Sequence, residues 1–359
     1  MQDNNGLIAA GRPVTIQHIA DELGIHKSTV SYALAGKGRI SASLRARILA
    51  RAEELGYEPD PLAQRLANRA KSKVVCLCTG AFDPGRATEK IALIQAALTG
   101  RGLEVPIYTP AKATQDQGAS QAALLRQLRR QRPQAIICAS FAFHAAAFRE
   151  LEQYQHEGGI VVSYDIPVPL ACDQVIYDRE DNAYQGAHYL IERGHRRIGI
   201  GMSRMAKPLA DPINLMQRLR YQGFERVMTE FGVPKRNEWF FQNSTFERGG
   251  AEMARHFLEL KERPTGLCIV NDYVALSFMV EVIRAGVRIP KDVSIVGHDN
   301  LPIAAYCPVP LTSVAQPAEE IVDTVVALMM ERIAGSTRPP RTITIKGRLV
   351  ERQSVMALN

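Results

Sequence analysis

From Lys73 onward, short apolar runs alternate with helical stretches, and this alternation constrains the fold more than any other feature. The apolar runs form two sets: 74–77, 135–138 and 159–162, then 198–200, 266–270 and 293–296. Helical periodicity is expected near 87–99, 117–131 and 144–157, and again near 217–231, 248–261 and 273–285. Continuous apolar strands separated by helices indicate parallel sheets covered on both faces. The pattern therefore predicts two similar α/β lobes.

Polar side chains follow several of these strands. Asp165, Asn271 and Asp299 each come after an apolar run, and Arg220 begins a helix. Ligands of open parallel sheets bind at the carboxyl ends of the strands, so two facing lobes predict a cleft lined by these residues. A guanidinium, an amide and carboxylates together suit a polyhydroxylated molecule. Structural roles stay open: Asp299 as a turn cap, Asn271 as a helix cap, and Arg220 as the partner of a helix acid.

The stretch 14–36 has a different pattern, typical of a small helical unit. The apolar residues Ile16, Ile19 and Leu23 recur at helical spacing, Gly24 supplies a turn, and a second apolar stripe begins at Val30. Two short helices joined this tightly predict a helix-turn-helix, whose second helix enters the DNA major groove. The alternative is an amphipathic helical hairpin with a solvated polar face.

The second helix of this unit carries short polar and basic side chains on its outer side. They are Lys27, Ser28, Thr29, Ser31 and Tyr32. A third helix is expected from Ser41 to Gly56. The formal net charge of +7 on 359 residues permits a polyanionic partner without demonstrating one. We therefore expect double-stranded DNA as one partner.

The order of these features closely resembles the LacI/GalR family of bacterial transcriptional regulators. The resemblance is carried by VTIQHIADELGIHKSTVSYALAG, by LGYEPDP, and by AQRLA just downstream. It continues in DREDNAYQGAHYLIERGHRRIGIG at 178–201, RYQGFERVM at 220–228, RPTGLCIVNDYVAL at 263–276, IPKDVSIVGHDN at 289–300 and PLTSVAQP at 310–317. It spans residues 14–352 and implies an all-α DNA-binding domain followed by a two-lobed domain like those of periplasmic sugar-binding proteins.

The resemblance implies a role for each matching position. Base-reading positions are Lys27, Ser28 and Tyr32, and DNA-backbone positions are Thr15, Thr29 and Ser31. Leu66 matches the hinge-helix leucine that enters the minor groove. Effector positions are Arg220, Asn271 and Asp299, with Asp165 a weaker match. The implied partners are a near-palindromic operator, a second copy of the chain and a small-molecule effector, for which sugars are the commonest class in the family.

This resemblance divides the chain into a flexible tail at 1–13, a helix-turn-helix domain at 14–58, a hinge at 59–72 and a two-lobed effector domain at 73–359. The implied function is a DNA-binding regulator, in the usual case a repressor, whose operator affinity the effector controls. Ligand-induced release and ligand-induced binding of DNA are both open.

Some residues depart from the family pattern. His18 stands where an aspartate is usual and His26 where a serine often caps the second helix, so weaker caps are expected. The loop 79–85 lacks the usual Asn-Pro-Phe run, so family contacts are not carried over there. His298 replaces a common aromatic residue, and the sequence leaves open whether it contacts ligand or packs in the core.

Two other classes of protein, an enzyme and a transport protein, fit the sequence less well. An enzyme of the sugar-kinase type with a DNA-binding head would need a phosphate-cradling glycine pattern, which is missing around Gly80 and Gly85. A transport-type binding protein would need a secretory signal, and 1–13 does not resemble one. The six cysteines never form a C-x-x-C pair. We therefore expect a cytoplasmic protein that is not an enzyme and has no metal, no cofactor and no membrane span.

Overall fold

The computed structural model describes residues 14–34, 36, 38–57, 72–79, 85–110, 117–139, 144–205, 214–243 and 246–358. The chain divides into two compact units, residues 1–71 and 72–359.

The first unit contains three short helices around a small apolar core. They are α1 (Ile16–Leu23), α2 (Lys27–Leu34) and α3 (Ala42–Glu54). Gly24 ends α1 in the left-handed region at φ 62°, which lets α2 begin three residues later at a steep angle. The core consists of Ile19, Ala20, Val30, Ala33, Ile48 and Ala52, all buried. The predicted helix-turn-helix geometry is present in this unit.

The second unit contains the alternating strands and helices. Its helices are α4 (Arg86–Thr99), α5 (Gln117–Gln131), α6 (Ala145–His156), α7 (Arg179–Glu192), α8 (Leu215–Glu230), α9 (Phe246–Glu259), α10 (Asp272–Arg284) and α11 (Ala318–Ile333). Its strands are β1 (Val75–Cys78), β2 (Ile107–Tyr108), β3 (Ala135–Ala139), β4 (Ile160–Asp165), β5 (Asp173–Tyr177), β6 (Ile198–Ser203), β7 (Phe240–Asn243), β8 (Gly266–Ile269), β9 (Ser294–Asp299), β10 (Thr312–Ala315), β11 (Thr342–Ile345) and β12 (Arg348–Val350). Within the described ranges, no helix is long and apolar enough to cross a membrane.

The strands form two six-stranded sheets, one in each lobe. The first sheet has the order β11-β5-β4-β3-β1-β2 and is parallel throughout. The second has the order β12-β10-β9-β8-β6-β7 and is parallel except for its β10–β12 edge. Apolar clusters cover both faces of each sheet, as continuous apolar strands require. The predicted two-lobed α/β architecture is confirmed.

The chain passes between the lobes three times. The first crossing joins β5 to α7, the second joins β10 to α11, and the third joins β11 to β12. Because β5 and β11 pair in one sheet while β10 and β12 pair in the other, the crossings lie side by side. These three connecting segments form the hinge between the lobes, beside the cleft.

The helices α7 and α8 pack unusually closely at Gly223. A Cβ atom at that position would lie 1.9 Å from the backbone carbonyl oxygen of Glu180, so only glycine fits. Gly223 lies three residues after Arg220 on α8. The motif RYQGF therefore combines a cleft-side arginine with the glycine that lets its helix approach α7.

We predict that Gly223→Ala lowers the free energy of unfolding by about 1–3 kcal/mol or more, because backbone atoms of Glu180 must move to admit the methyl group. Urea unfolding measures the change. The matched control is Gly100→Ala, where the added Cβ would meet nothing closer than 3.4 Å and φ is −60°. Equal stability of Gly223→Ala and wild type would contradict the close packing described here.

Candidate DNA interface and effector cleft

The outer side of α2 is exposed in the way a groove-reading helix requires. Lys27, Ser28 and Tyr32 are exposed, the last with 55% of its surface, while Val30 and Ala33 on the other side are buried. Thr29 and Ser31 are half-buried. The exposed side chains combine an ammonium, a hydroxyl and a phenol, which can bond base edges and phosphates.

At the starts of α1 and α2, a histidine nitrogen accepts from a backbone N–H, so the substituted residues still take part in capping. The Thr15 hydroxyl accepts from the backbone N–H of His18, and His18 Nδ1 accepts from the backbone N–H of Thr15 at 3.2 Å. At the start of α2, His26 Nδ1 accepts from the backbone N–H of Ser28 at 3.4 Å and lies 2.8 Å from its Oγ. An imidazole nitrogen can accept as a carboxylate oxygen does, so the capping box persists with His18 as its second member.

Two residues predicted to contact DNA also take part in these caps. Thr15 caps α1, and the Ser28 hydroxyl lies against His26. Leu66, the predicted minor-groove residue, lies outside the described residues.

In the second unit, the predicted carboxylates lie at equivalent places in the two lobes. Asp165 ends β4 and Asp299 ends β9, and each strand is third in its sheet. Both residues have positive φ, 94° and 90°, a conformation that non-glycine residues rarely adopt. Strained backbone at both strand ends is typical of a functional site, since packing must hold it in place.

Asp165 is the centre of a buried ionic cluster. Lys90 Nζ lies 2.5 Å from Asp165 Oδ1, and the Arg179 guanidinium lies 3.3 Å from Oδ2 while donating to the backbone carbonyl of Asp165 at 2.6 Å. All three residues are at most 4% exposed. Burial raises the pKa of the Asp165 carboxyl, but Lys90 and Arg179 outweigh it and hold that pKa at about 2. Burial lowers the pKa of Lys90, and Asp165 opposes that shift.

Arg220 contributes a further charge from the second lobe. Burial lowers its pKa, the positive charge of Arg179 lowers it further, and Asp299 opposes both. Arg220 lies one turn before Gly223, whose close approach to Glu180 brings this part of α8 next to Arg179. It forms no hydrogen bond or ion pair with another residue of the described ranges.

Asn271 has the capping role considered for it and also contacts Asp299. Its side-chain oxygen caps α10 by accepting from the backbone N–H groups of Tyr273 and Val274. Its amide nitrogen donates to Asp299 Oδ2 at 3.3 Å. The cap fixes the side chain, which then orients the Asp299 carboxylate.

Asp272 has a structural role behind the cleft. It is fully buried and accepts from the backbone N–H of Leu301 at 2.7 Å and from Ser313 Oγ at 2.8 Å. Burial, reinforced by Asp299, raises the pKa of Asp272 to about 8. His298 also packs: it is fully buried, and its Nδ1 lies 2.9 Å from the Ile269 carbonyl oxygen.

Arg86 links the two lobes at the mouth of the cleft. It projects from the first turn of α4 and donates to the backbone carbonyl oxygens of Asp299, at 3.0 Å, and of Asn300. Glu89 pairs with the same guanidinium. The lobes are therefore in direct contact across the ends of their sheets.

Buried polar atoms without partners lie at the hinge. Among the described residues, Tyr177 Oη, Asn182 Oδ1 and Gln316 Oε1 have no hydrogen-bond partner. A Cβ atom at Gly347 would lie 2.4 Å from Asn182 Oδ1 and 3.2 Å from Tyr177 Oη, so these two oxygens converge on the third crossing. Unsatisfied buried groups are rare in stable cores and call for a functional explanation.

Sequence reasoning missed Lys90 and Arg179. A signal for Lys90 was present, since it shares the buried side of α4 with Ile91, Ile94 and Leu98. A lysine among core positions is unusual unless it is paired. Arg179 is the second residue after the strand β5 and begins α7, with Asp178 between them as the cap of that helix.

The cysteines and His195 of the described residues have structural surroundings. Within the described residues, no cluster of three or more His, Cys, Asp or Glu side chains is arranged to hold a metal ion. The six cysteines are buried and unbridged. His195 has a structural role, because its ring nitrogens lie 3.0 Å from the Thr265 hydroxyl and 3.1 Å from the Met356 carbonyl oxygen.

Comparison with known proteins gives two matching family models. One, described as "Bacterial regulatory proteins, lacI family", matches residues 15–60, and the other, described as "Periplasmic binding protein-like domain", matches residues 187–355. A curated relative is the HTH-type transcriptional repressor PurR of Yersinia pestis bv. Antiqua (strain Antiqua). It is 27% identical over 341 residues, which cover 95% of this chain and 96% of that protein.

Solved structures share the fold at low sequence identity. The lac repressor dimer bound to operator and the anti-inducer ONPF has a TM-score of 0.76 at 22% identity, covering 96% of this chain and all of that one. A LacI family transcriptional regulator from Enterococcus faecium with bound ribose has a TM-score of 0.66 at 21% identity, covering 80% of this chain and all of that one.

We predict that Asp165→Ala lowers the free energy of unfolding at pH 7 by about 3–5 kcal/mol, because it leaves Lys90 and Arg179 buried without their anion. Chemical denaturation measures it. The pKa of Asp165 is about 2 against an ordinary value of 3.8, so its contribution is complete above that ordinary value and is lost as the pH falls towards 2. The difference between wild type and variant should shrink over the same range.

The control is Glu281→Ala, which breaks an exposed pair with Arg284 and should change stability little. Equal losses for the two variants would mean that the Asp165 cluster is no more important than a surface pair.

Proposed function

Because this chain belongs to the LacI family of bacterial regulatory proteins, and is a DNA-binding transcriptional regulator, we propose that it is a repressor whose operator affinity is set by a small polyhydroxylated molecule bound between its two lobes. The observation that carries the proposal is the meeting of charged residues from both lobes at one cleft. The relatives of established name are transcriptional regulators, which supports a non-catalytic role in the cytoplasm.

The DNA-binding part of the proposal rests on the exposed side of α2. Lys27, Ser28 and Tyr32 read base edges, while Thr15, Thr29 and Ser31 bind the DNA backbone. Ser28 reads bases from a position that His26 fixes, because its hydroxyl lies 2.8 Å from the imidazole. Two chains form a homodimer and read a near-palindromic operator; the lac repressor, which shares the fold, has been crystallised as a dimer on its operator.

The effector part rests on the cleft. Arg220, Asn271, Asp299 and Asp165 bind the ligand, with Asn271 orienting Asp299 through their hydrogen bond. A sugar is the class of ligand that these donors and acceptors suit, and a regulator of the same fold holds ribose.

Control passes through the lobes. A ligand that touches both lobes favours the lobe arrangement it fits better, and only this difference in affinity can shift the equilibrium. The three crossings then transmit the change to the hinge segment at 59–72, which either folds on the minor groove with Leu66 inserted or remains off the DNA.

We predict that Lys27→Ala weakens binding to the preferred operator by ~1–3 kcal/mol and relaxes base preference at the contacted position. Selection from a random duplex library, followed by titration of the recovered site, measures both effects. The matched control is Arg101→Ala, an exposed basic residue of the second unit, which should bind the same site unchanged. Absence of any preferred sequence for the wild-type chain at moderate salt would refute the proposed function.

A second prediction concerns the hinge. Leu66→Ser should weaken operator binding, because a polar side chain cannot replace an apolar wedge between base steps, and should leave effector affinity intact. Operator titration and ligand titration of the same preparation test this. Equal loss of both affinities would mean that Leu66 contributes to the general stability of the chain and does not contact DNA.

A further inference from the structure

The charges of the cleft follow the symmetry of the lobes, with one exception. In the first lobe, the helix after β1 carries Lys90 and the third strand of the sheet ends in Asp165. In the second lobe, the helix after β6 carries Arg220 and the third strand ends in Asp299. Each lobe thus contributes one cation and one carboxylate, which balance each other in charge.

Arg179 has no such counterpart. It lies on the first crossing between the lobes, is 4% exposed, and shares the carboxylate that Lys90 already neutralises. Its positive charge lowers the pKa of both Lys90 and Arg220, so it acts on the cations of both lobes at once. The cluster therefore holds three cations against two carboxylates, a surplus of one positive charge; Arg179, Lys90 and both carboxylates are buried, and Arg220 is half-buried.

The free polar atoms around this surplus include hydrogen-bond donors. Among the residues described, Arg179 Nε is buried without a partner, as is the hydroxyl of Tyr177, whose ring lies 5.3 Å from the Arg179 guanidinium carbon. Arg220 also lacks a bonded partner there. An uncompensated buried charge is costly, and each buried donor without an acceptor adds to that cost.

From this surplus we infer that the effector is an acid: a polyol carrying one carboxylate or phosphate group, whose anionic end binds at Arg179 and Arg220. This inference rests on the proposed function, since it names the chemical class of that same ligand. The hydroxyl groups of the polyol bind Asp165, Asp299 and Asn271, and the anion supplies the missing negative charge. A neutral sugar would leave the surplus cation buried.

Matched acid and neutral compounds test the inference on the full-length chain. The pairs are D-gluconate with D-glucitol, D-glucuronate with D-glucose, and D-ribose 5-phosphate with D-ribose, each tested by thermal shift and then by calorimetry. We expect at least one acid to bind while its neutral partner binds roughly 30-fold more weakly or not at all. The carboxylate and phosphate pairs distinguish the two sources of the anion.

A substitution of Arg179 tests whether this residue supplies the positive charge that binds the acid. Arg179→Gln keeps a side chain that can donate to the Asp165 carbonyl but removes the surplus charge, and it should weaken binding of the acid roughly 30-fold or more. It should change little the binding of any neutral partner. Arg284→Gln, at an exposed arginine of α10, is the control and should bind the acid as wild type does. Circular dichroism and operator binding verify that Arg179→Gln is folded.

The outcomes separate this inference from the proposed function. Neutral partners that bind as tightly as the acids, no acid-specific shift in any pair, or an acid affinity unchanged in Arg179→Gln would each overturn the acidic effector. Sequence-specific operator binding of the wild-type chain, measured in the same preparation, stands or falls independently of these results.

Discussion

The ionic cluster of Lys90, Asp165 and Arg179 joins the parts on which the second unit depends. It joins the first helix of one lobe, the end of that lobe's third strand and the chain crossing into the other lobe. A carboxylate buried to this degree is stable only with partners, and two cations hold its pKa at about 2. The same contacts fix the left-handed backbone of Asp165, so ionic pairing offsets conformational strain at the site where a ligand would bind.

In the first unit, helix caps have the organising role that the ionic cluster has in the second unit. Its helices α1 and α2 have eight residues each, too short to be stable in isolation. Six buried side chains and the histidine caps hold them together. Because Ser28 lies against His26, the cap and the reading surface share a residue. A substitution at His26 would therefore disturb both the start of α2 and the position of the Ser28 hydroxyl.

Much of the fold follows from patterns that are local in the sequence. The six predicted helices of the lobes are present within two residues of their predicted ends, because apolar periodicity and strand-helix alternation reflect burial directly. The strands β2, β5, β7, β10 and β12 were not predicted. Three of them, β2, β7 and β12, are runs of two to four residues at a sheet edge, which carry little apolar signal. The positions of Asp165 and Asp299 at strand ends followed from the same alternation, because polar residues that terminate buried strands stand out.

Contacts between residues far apart in the chain could not be predicted from the sequence. Lys90 and Asp165 are 75 positions apart, and their pairing depends on the packing of α4 against the sheet edge. The Arg86 contact spans 213 positions and depends on how the lobes face each other. The capping role of the two histidines was not predicted for a different reason. The contacts are local, but N-cap preferences favour Ser, Thr, Asp and Asn and give histidine little weight.

The location of Arg179 bears on how a ligand could control the lobes. Tyr177, Arg179 and Asn182 lie on or next to the first crossing, Gln316 lies on the second and Gly347 on the third. Three of these residues have buried oxygen atoms without partners in the described structure, so this arrangement of the hinge leaves polar groups unsatisfied. An arrangement of the lobes that pairs these atoms, with each other or with water, would compete with the present one by removing the cost of leaving them unsatisfied. A ligand bound at Arg179 touches the hinge itself, and its differential affinity then acts directly on that competition.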